Sequence, residues 1–294
     1  MNELLTIRDI PAPPKRPEDA HKGTFGTVIV VGGTVTMPGA AALCAASALR
    51  AGAGLVKIAS TREVLAVAIA IEPSATGILL REGEDDAAGI DAADERGSAV
   101  LAVGPGMGGS DAAQRLVMQL LRGQRAMVLD ADGLNLLARH GRPRPAGGPT
   151  LVMTPHPGEF ARLAKPLGIE ESPTDPTTRP LAAARLAQAH HAVVLLKGRH
   201  TVVSDGRRIW MNTTGNSALA TAGMGDVLTG LIASLMAQGM NAFDAACLGA
   251  HLHGLAADLW RDQHGPSGMT ARDLAQLLPD AFQHDRRART VDER

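Results

Sequence analysis

Short apolar runs alternate with helical segments along most of this 294-residue chain. Uninterrupted apolar runs separated by helices are typical of parallel strands buried on both faces. The pattern therefore predicts an α/β protein with a mostly parallel central sheet and helices on both of its faces. The clearest predicted strands are 27–31, 55–59, 99–103, 126–129, 151–153 and 193–196.

Two further patterns complete the predicted architecture. Residues 201–204 and 208–211, joined by an Asp-Gly turn, predict a small antiparallel hairpin at the sheet edge. The last third of the chain is predicted to be helical. The helices predicted there are 226–238, 242–260 and 270–278.

The length allows one large or two ordinary domains. Polar stretches at 81–97, 142–149 and 170–180 are flanked by predicted strands, so they are interpreted as excursions from one domain. We predict a single domain over 1–294, with an N-terminal extension over 1–20 and a frayed, charged tail over 285–294.

Composition limits the classes of partner. The net charge is −1 and no basic stripe is present, which argues against nucleic acid and anionic membranes. No apolar run is long enough to span a membrane, and the N-terminus lacks the apolar stretch of a signal peptide, so a cytoplasmic protein is predicted. Cys44 and Cys247 lie in apolar helical stretches, which indicates buried thiols rather than a disulfide or zinc site.

The glycine-, proline- and acid-rich segments directly follow predicted strands. Right-handed crossovers place the carboxyl ends of parallel strands along one edge of the sheet, where open α/β sheets bind ligands. We therefore expect these segments to meet at one site. They are Gly32-Gly33, Gly104-Pro-Gly106, Asp130-Ala-Asp132, 154–159 and Lys197-Gly198.

One segment combines several features that phosphoryl transfer requires. Gly223 and Gly225 allow a tight turn with bare backbone N–H groups, and the apolar run 227–236 predicts a helix behind them. A helix N-terminus presents unpaired N–H groups and a positive dipole end, which suits an anion. Asp226 is placed to accept a proton from a hydroxyl group. A plain turn with Asp226 as a helix cap explains the same residues equally simply.

A second motif indicates a different function. Residues 104–109 fit GxGxxG between a strand and a helix, and Asp130 follows Gly106 by 24 residues. This spacing is typical of dinucleotide-binding dehydrogenases. Against that reading, the motif follows the third predicted strand rather than the first. Pro105 also removes an N–H where the pyrophosphate would approach.

Taken in order, the motifs form a recognisable set over residues 20–280. Together they closely resemble the ADP- or ATP-dependent NAD(P)H-hydrate dehydratases of the ribokinase-like superfamily. The motifs are His21-Lys-Gly-Thr-Phe-Gly26, Gly32-Gly33 through Ala40, Gly104-Pro-Gly106, Asp130-Ala-Asp132, Thr154-Pro-His-Pro-Gly-Glu159, Lys197-Gly-Arg-His-Thr201, and Thr214-Gly-Asn216 through Asp226.

The resemblance implies a ribokinase-like fold and a lyase (hydro-lyase) that repairs a damaged coenzyme. Such enzymes use ADP or ATP with Mg²⁺ to phosphorylate the ring hydroxyl of hydrated NADH or NADPH, and then eliminate phosphate to restore the coenzyme. The chain shows no epimerase module, so it is expected to act on the S epimer and to rely on a separate epimerase. A homotetramer is also expected from the resemblance, and ADP is the expected nucleotide.

The resemblance also implies roles for individual residues. Asp226 would act as the base, with the N–H groups of Gly223 to Gly225 holding the transferred phosphoryl group. Contacts to the hydrated coenzyme are implied for Ala40, Gly106, His156 and Asp226. Contacts to the nucleotide are implied for Lys197, Gly198, Arg199, His200, Thr201 and Gly225.

For three sets of residues, the sequence is compatible with either a functional or a structural role. Asp130 and Asp132 are candidates for holding Mg²⁺ through water, or one of them caps the next helix. His156 either contacts the substrate or stiffens a loop between two prolines. His251 and His253 lie two apart on a predicted helix and so point in different directions, which favours packing over metal binding.

Departures from the family pattern leave other functions open. The chain has Ala222-Gly-Met-Gly-Asp226 where the family commonly has Gly-Gly-Thr-Gly-Asp. A small-molecule kinase acting on a vitamin-precursor alcohol would use the same glycine-Asp segment. A nucleotide-binding regulator without catalysis is a third hypothesis, suggested only by Met224.

Overall fold

The computed structural model describes residues 4–81, 86–94, 96–141 and 147–292. Within these ranges, ten strands form one sheet. The strands are β1 (Leu5–Ile7), β2 (Thr27–Val31), β3 (Leu55–Ser60), β4 (Thr76–Leu79), β5 (Val100–Val103), β6 (Met127–Leu129), β7 (Leu151–Met153), β8 (Val193–Leu196), β9 (Val202–Ser204) and β10 (Arg208–Met211).

The strand order across the sheet is β1-β10-β9-β8-β7-β6-β5-β2-β3-β4. Every pairing from β4 to β8 is parallel, which confirms the predicted mostly parallel sheet. The predicted hairpin is β9–β10, but it is not the outermost element. Strand β1, from the predicted N-terminal extension, pairs with β10 and forms the edge. Neither β1 nor β4 was predicted, because their apolar runs are too short.

Helices cover both faces of the sheet, as predicted. They are α1 (Pro38–Arg50), α2 (Arg62–Ile71), α3 (Asp86–Ala92), α4 (Asp111–Leu120), α5 (Ala131–His140), α6 (Pro157–Ala164), α7 (Arg179–His190), α8 (Met224–Ala237), α9 (Ala242–His264) and α10 (Ala271–Asp292). Short 3₁₀ turns occur at Lys22–Phe25, Lys165–Leu167 and Ser217–Leu219.

Alternate side chains of each strand point to opposite faces of the sheet. In β2, Val28 and Val30 belong to one core, whereas Ile29 and Val31 belong to the other. Helices α1, α8, α9 and α10 fill most of the first core, and α4 to α7 fill most of the second. Burial on both faces explains why the strands appear as uninterrupted apolar runs.

Helices α1 and α8 pack so closely that their backbones touch. A Cβ on Gly230 of α8 would overlap the carbonyl group of Cys44 in α1. One turn further along α1, the Ser47 hydroxyl donates to the carbonyl of Val227. This contact sets the direction of α8 and therefore the position of its N-terminus. Cys44 and Cys247 are both buried free thiols, as predicted.

The predicted tail differs from the structure. Fraying was predicted over 285–294, but α10 continues as a helix to Asp292. Residues 293–294 lie outside the described residues. Asp285 is buried, and both of its carboxylate oxygens accept hydrogen bonds from Arg289, one turn later. The same guanidinium donates to two carbonyl groups of the N-terminal segment, those of Ile10 and Pro11. From the sequence alone, charged residues that bind another segment cannot be distinguished from charged residues of a solvated tail.

Two of the predicted excursions contain residues that the structure does not describe. Residues 82–85 and 95 lie in the first of them, and residues 142–146 in the second. Among the described residues, no helix combines the length and the apolar character that a membrane span requires.

Candidate active site

The segments that follow β5, β6 and β8 meet at the carboxyl edge of the sheet, beside the N-terminus of α8. Asp130 directly follows β6, and Lys197 directly follows β8. The Lys197 Nζ lies 2.7 Å from Asp130 Oδ1, although the two residues are 67 positions apart in the chain. The expectation that these strand-end segments converge is therefore confirmed.

Helix α8 begins with the glycine turn that the sequence indicated. Gly223 is the N-cap with a φ of +87°, in the left-handed region that favours glycine. A Cβ there would lie 2.9 Å from the Cβ of Ala271 and 3.0 Å from Leu43 Cδ1, so the site has no room for a side chain. The helix starts at Met224, two residues earlier than predicted, and Asp226 lies in its first turn.

Gly225 brings the helix start against the charged residues of the strand ends. A Cβ on Gly225 would lie 3.3 Å from Asp130 Oδ2 and 3.4 Å from Lys197 Nζ. The Thr229 hydroxyl donates to the same Asp130 Oδ2 at 2.8 Å. Backbone N–H groups at a helix N-terminus and a lysine ammonium therefore face the same small region, which is the chemistry that binds a phosphate group.

Asp130 and Asp132 hold the site together through hydrogen bonds to protein groups. Both oxygens of Asp130 accept bonds, from Lys197 and from Thr229, and its side chain does not cap α5 although it occupies the N-cap position. Asp132 Oδ2 accepts from the Gly108 N–H at 2.8 Å. Within the part of the chain that the structure describes, no three His, Cys, Asp or Glu side chains cluster as a preformed metal site.

The backbone is strained at this point. Ala131, between the two aspartates, has a φ of +48°, which is unfavourable for a residue with a side chain. Such conformations persist only where the surrounding structure enforces them, and they concentrate at functional sites. Here the bonds of Asp130 to β8 and α8 enforce it.

Asp226 has the titration behaviour of a general base. Burial raises the pKa of Asp226 to about 7, the carboxylates of Asp130 and Asp132 act in the same direction, and the Lys197 charge opposes them. A group with a pKa near the working pH is an efficient proton acceptor, because it is both available in its charged form and basic.

His156 caps helix α6, which begins at Pro157. Its Nδ1 accepts a hydrogen bond from the Gly158 N–H at 3.0 Å, and the His156 N–H donates to Glu159 Oε2 at 2.8 Å. Because Nδ1 uses its lone pair as an acceptor, the ring proton is on Nε2. The loop-stiffening role is therefore present, and the half-exposed ring holds its Nε2 3.3 Å from Glu159 Oε1.

Glu159 belongs to a motif quoted above, but no role was predicted for it. Its carboxylate is buried, and Oε2 lies 3.9 Å from Lys197 Nζ. Burial raises the pKa of Glu159 to about 7, which the Lys197 charge partly offsets. Burial lowers the pKa of Lys197, but the nearby carboxylates of Asp130, Glu159 and Asp226 outweigh it and raise that pKa.

Ala40 and Gly106, both predicted to contact the coenzyme, are neighbours. A Cβ on Gly106 would lie 2.9 Å from the Cβ of Ala40 and 2.8 Å from the carbonyl oxygen of Met37. Gly106 has a φ of +60°, so glycine is favoured there on both counts. The loops after β2 and β5 are joined by a bond from the Gly33 N–H to the Pro105 carbonyl at 2.8 Å. Together they form one wall at the same edge of the sheet.

The predicted nucleotide loop connects β8 to β9. It contains Lys197, Gly198, Arg199, His200 and Thr201, and the Thr201 hydroxyl closes it by donating to the Gly198 carbonyl at 3.0 Å. Gly198 has a φ of +142° and His200 a φ of +54°. The side chains of Arg199 and His200 are exposed, whereas Lys197 is turned toward Asp130.

Arg179 anchors this loop, although no sequence motif indicated it. The side chain is buried, and its two terminal nitrogens each donate at 2.8 Å, one to the carbonyl of Leu196 and the other to that of Arg199. A Cβ on Gly198 would lie 2.8 Å from the guanidinium. No motif marks a lone arginine after a polar stretch, so only the folded structure reveals this contact.

The arrangement does not fit the dehydrogenase alternative. A ribose-binding acid needs a free carboxylate, but both oxygens of Asp130 are engaged by Lys197 and Thr229. The glycine motif at 104–109 follows β5, in the middle of the sheet, rather than the first strand of a dinucleotide-binding unit.

Comparison with known proteins agrees with this geometry. A family model described as NAD(P)H-hydrate dehydratase matches residues 28–280. The chain belongs to the NAD(P)H-hydrate dehydratase family. The resemblance drawn from the seven motifs is therefore confirmed.

Individual members of the family show the same similarity. The chain is 35% identical over 268 residues to the ADP-dependent (S)-NAD(P)H-hydrate dehydratase of Bacillus subtilis, covering 90% of this chain and 92% of that protein. It is 43% identical over 274 residues to the bifunctional NAD(P)H-hydrate repair enzyme Nnr of Moorella thermoacetica, covering 90% of this chain. The chain spans about half (51%) of that longer protein.

Solved structures confirm the fold. The crystal structure of the ADP/ATP-dependent NAD(P)H-hydrate dehydratase of B. subtilis, co-crystallised with ATP and Mg²⁺, superposes with a TM-score of 0.79 at 31% identity. The match covers 93% of this chain and 94% of that one. A ribokinase-like superfamily protein of Enterococcus faecalis superposes with a TM-score of 0.78 at 24% identity over 92% of each chain, which confirms the ribokinase-like fold.

Proposed function

We propose that this protein is a hydro-lyase that dehydrates the S epimer of hydrated NADH and NADPH at the expense of ADP or ATP, and so restores the reduced coenzymes. Membership of the family and the similarity to the B. subtilis enzyme support this function. The observation that carries it is the position of Asp226, in the first turn of α8, with a pKa of about 7 and with Gly225 and Lys197 beside it.

The reaction divides into two steps. In the first, the ring hydroxyl attacks the terminal phosphorus of the nucleotide, Asp226 accepts the hydroxyl proton, and the shortened nucleotide leaves. In the second, the C–O bond of the phosphate ester breaks and a proton leaves the neighbouring ring carbon, which re-forms the double bond. Hydroxide is a poor leaving group and phosphate is a good one, so the nucleotide makes the dehydration possible.

The protein groups around Asp226 stabilise the charge that moves during the first step. The N–H groups at the start of α8, including that of Gly225, are aimed at the transferred phosphoryl group and need no rearrangement. Lys197 supplies a positive charge held in place by Asp130. We propose that Lys197 to Thr201 bind the nucleotide and that Ala40, Gly106 and His156 bind the hydrated coenzyme.

Mg²⁺ is proposed to enter with the nucleotide. Magnesium in such sites is usually held by phosphate oxygens, water and one or two carboxylates rather than by a protein cage. The site fits that pattern, because the carboxylates of Asp130 and Asp132 accept bonds from the protein and would reach the ion through water. The ion would supply positive charge to the nucleotide phosphates.

The departures from the family pattern do not obstruct the site. The Met224 side chain is buried in the core that α8 shares with α1 and α9, and Ala222 is exposed. Neither residue changes the backbone donors of Gly223 and Gly225. We therefore propose an active enzyme rather than a nucleotide-binding regulator.

The decisive experiment incubates the protein with hydrated NADH, Mg²⁺ and either ADP or ATP. Return of reduced-nicotinamide absorbance together with equimolar phosphate supports the proposed function, and we propose faster turnover with ADP. A stable phosphorylated product without recovered NADH would instead identify a small-molecule kinase. Nucleotide binding without any turnover would identify a regulator.

Three expectations about the protein's setting stay predictions. They are the homotetramer, the separate epimerase that supplies the S epimer, and the cytoplasmic location. Size-exclusion chromatography with light scattering measures the first. The need for a separate epimerase is tested with a mixture of the two epimers. We expect about half of the mixture to be converted by the protein alone and all of it when an NAD(P)H-hydrate epimerase is added.

A further inference from the structure

His253 is a buried histidine that the proposed mechanism does not use. It lies in the middle of α9 and is 8% exposed. Its Nε2 lies 2.9 Å from the carbonyl oxygen of Met224, the first residue of α8. Because a carbonyl oxygen has no proton to give, Nε2 must carry the hydrogen and donate it.

The peptide group that receives this bond is also the one that faces the phosphate region. The carbonyl of Met224 and the N–H of Gly225 belong to a single planar, conjugated amide. A donor to the oxygen withdraws electron density through the amide and makes its N–H a stronger donor. Such chains of hydrogen bonds strengthen one another by about 10–30% per bond.

Burial also sets the charge state of His253. It lowers the pKa of His253 to about 4, so the ring is neutral at physiological pH. A neutral donor polarises the amide without adding a second cation beside Lys197. That distinction matters because a further positive charge near Asp226 would lower the pKa of the base.

We propose that His253 is a positioning residue for catalysis: its Nε2–H orients and polarises the Met224–Gly225 peptide, so that the Gly225 N–H stabilises the transferred phosphoryl group. The inference rests on the proposed phosphoryl transfer at α8. The simpler alternative is that the bond only ties α9 to α8 and contributes to stability.

The hydrogen bond itself can be tested in the wild-type protein. Imidazole ¹⁵N chemical shifts distinguish the two neutral tautomers, and the resonance of His253 is assigned by its loss in His253→Gln. The proposal requires the Nε2–H tautomer at pH 7. Finding the proton on Nδ1, or a charged ring, would overturn the proposal. This measurement on the wild-type protein does not depend on catalytic activity.

The polarisation can be measured with selective labels. The protein is labelled with carbonyl ¹³C in methionine and with ¹⁵N in glycine. A spectrum that detects only directly bonded ¹³C–¹⁵N pairs then shows two peptides, Met107–Gly108 and Met224–Gly225. We expect His253→Leu to shift the Met224 carbonyl and Gly225 amide signals and to leave the Met107–Gly108 pair unmoved. An unmoved Met224 carbonyl would show that the contact is absent.

The catalytic consequence is tested by steady-state kinetics. We expect His253→Leu to lower kcat about tenfold with little change in the KM for nucleotide, because the donor acts on the transition state rather than on the bound substrate. The matched control is His251→Leu on the same helix, whose Nε2 lies 3.3 Å from Asp285 Oδ1, whereas the bond to the Met224 carbonyl comes from His253. It should keep kcat close to that of the wild type.

These outcomes separate the two inferences. An unchanged kcat in His253→Leu, a loss matched by His251→Leu, or a rise in KM alone would reduce His253 to a structural residue and leave the dehydratase function standing. Absence of dehydration in the wild type would remove the proposed function instead, whatever the tautomer of His253.

Discussion

At the scale of a single residue, the surroundings of Asp226 give it the raised pKa that its proposed role as a base requires. An aspartate in water has a pKa near 4 and is a weak base. In the first turn of α8, burial and two neighbouring carboxylates raise the pKa to about 7, against the opposing charge of Lys197. The residue type was evident in the sequence, but its raised pKa arises first from burial and then from two carboxylates almost a hundred positions away.

Replacing Asp226 tests this role directly. We expect Asp226→Asn to lower kcat by about 10²- to 10⁴-fold, since the amide cannot accept the hydroxyl proton. In the wild type, kcat/KM should rise with pH and level off above about pH 7, because Asp226 must lose its proton to act. A pH–rate profile that stays flat from pH 5 to 9 would exclude Asp226 as the base.

The stability of the same variant provides the control. A raised pKa means that the charged carboxylate costs free energy in the folded state, so Asp226→Asn should be more stable than the wild type above pH 7. That gain should shrink as the pH falls from 7 toward 4, where the wild-type carboxyl is protonated in the folded state and increasingly so in the unfolded state. Thermal melts of the wild type and of Asp226→Asn between pH 4 and pH 8 measure this difference in stability.

Arg179 bonds to the carbonyl groups of Leu196 and Arg199, the first directly before and the second within the segment proposed to bind the nucleotide. We expect Arg179→Gln to raise the KM for nucleotide about tenfold and to change kcat less, because two carbonyl groups of the loop lose charged donors. Arg185→Gln is the matched control on the same helix, since its partner Glu171 lies outside the loop. Equal effects of both substitutions would contradict the anchoring role.

At the scale of elements, the contact between α1 and α8 determines where the site forms. The missing side chain of Gly230 lets α8 approach the α1 backbone, and Ser47 bonds across the same interface. The N-terminus of α8 is thereby directed at the ends of β6 and β8. A shift of this helix would separate the backbone donors from Lys197.

Gly230→Ala tests this geometry. The added Cβ meets a backbone carbonyl, which cannot move without its helix, so we expect a loss of about 1–3 kcal/mol in the free energy of unfolding and a lower kcat. Gly89→Ala is the control, because that helical glycine has open space around its Cβ position. It should be neutral or up to about 1 kcal/mol more stable in denaturant titrations.

At the scale of the whole molecule, the two ends of the chain meet. Strand β1 pairs with β10 at the sheet edge, and Arg289 of α10 binds the carbonyls of Ile10 and Pro11. The N-terminal segment is thus attached at both the sheet and the last helix. These contacts lie apart from the site residues described above.

Removing this contact should affect stability rather than activity. We expect Arg289→Ala to lower the free energy of unfolding by about 1–2 kcal/mol, because it also leaves the buried Asp285 with fewer donors. The exposed Arg287→Ala serves as the control and should be close to neutral. A marked change in kcat for Arg289→Ala would show that the end-to-end contact reaches the site.

The sequence by itself determined the parallel sheet, the glycine-led start of α8 and the family. Apolar runs, glycine turns and first-turn acids are local features, because each depends only on residues that are close together in the chain. Only the tertiary structure decided that Asp130 joins Lys197 to Thr229, that Arg179 anchors the loop after β8 and that His253 bonds to the start of α8. Each of these contacts links residues 17 to 99 positions apart. The sequence around an isolated polar residue does not indicate which distant residue it will contact, because folding brings the two together.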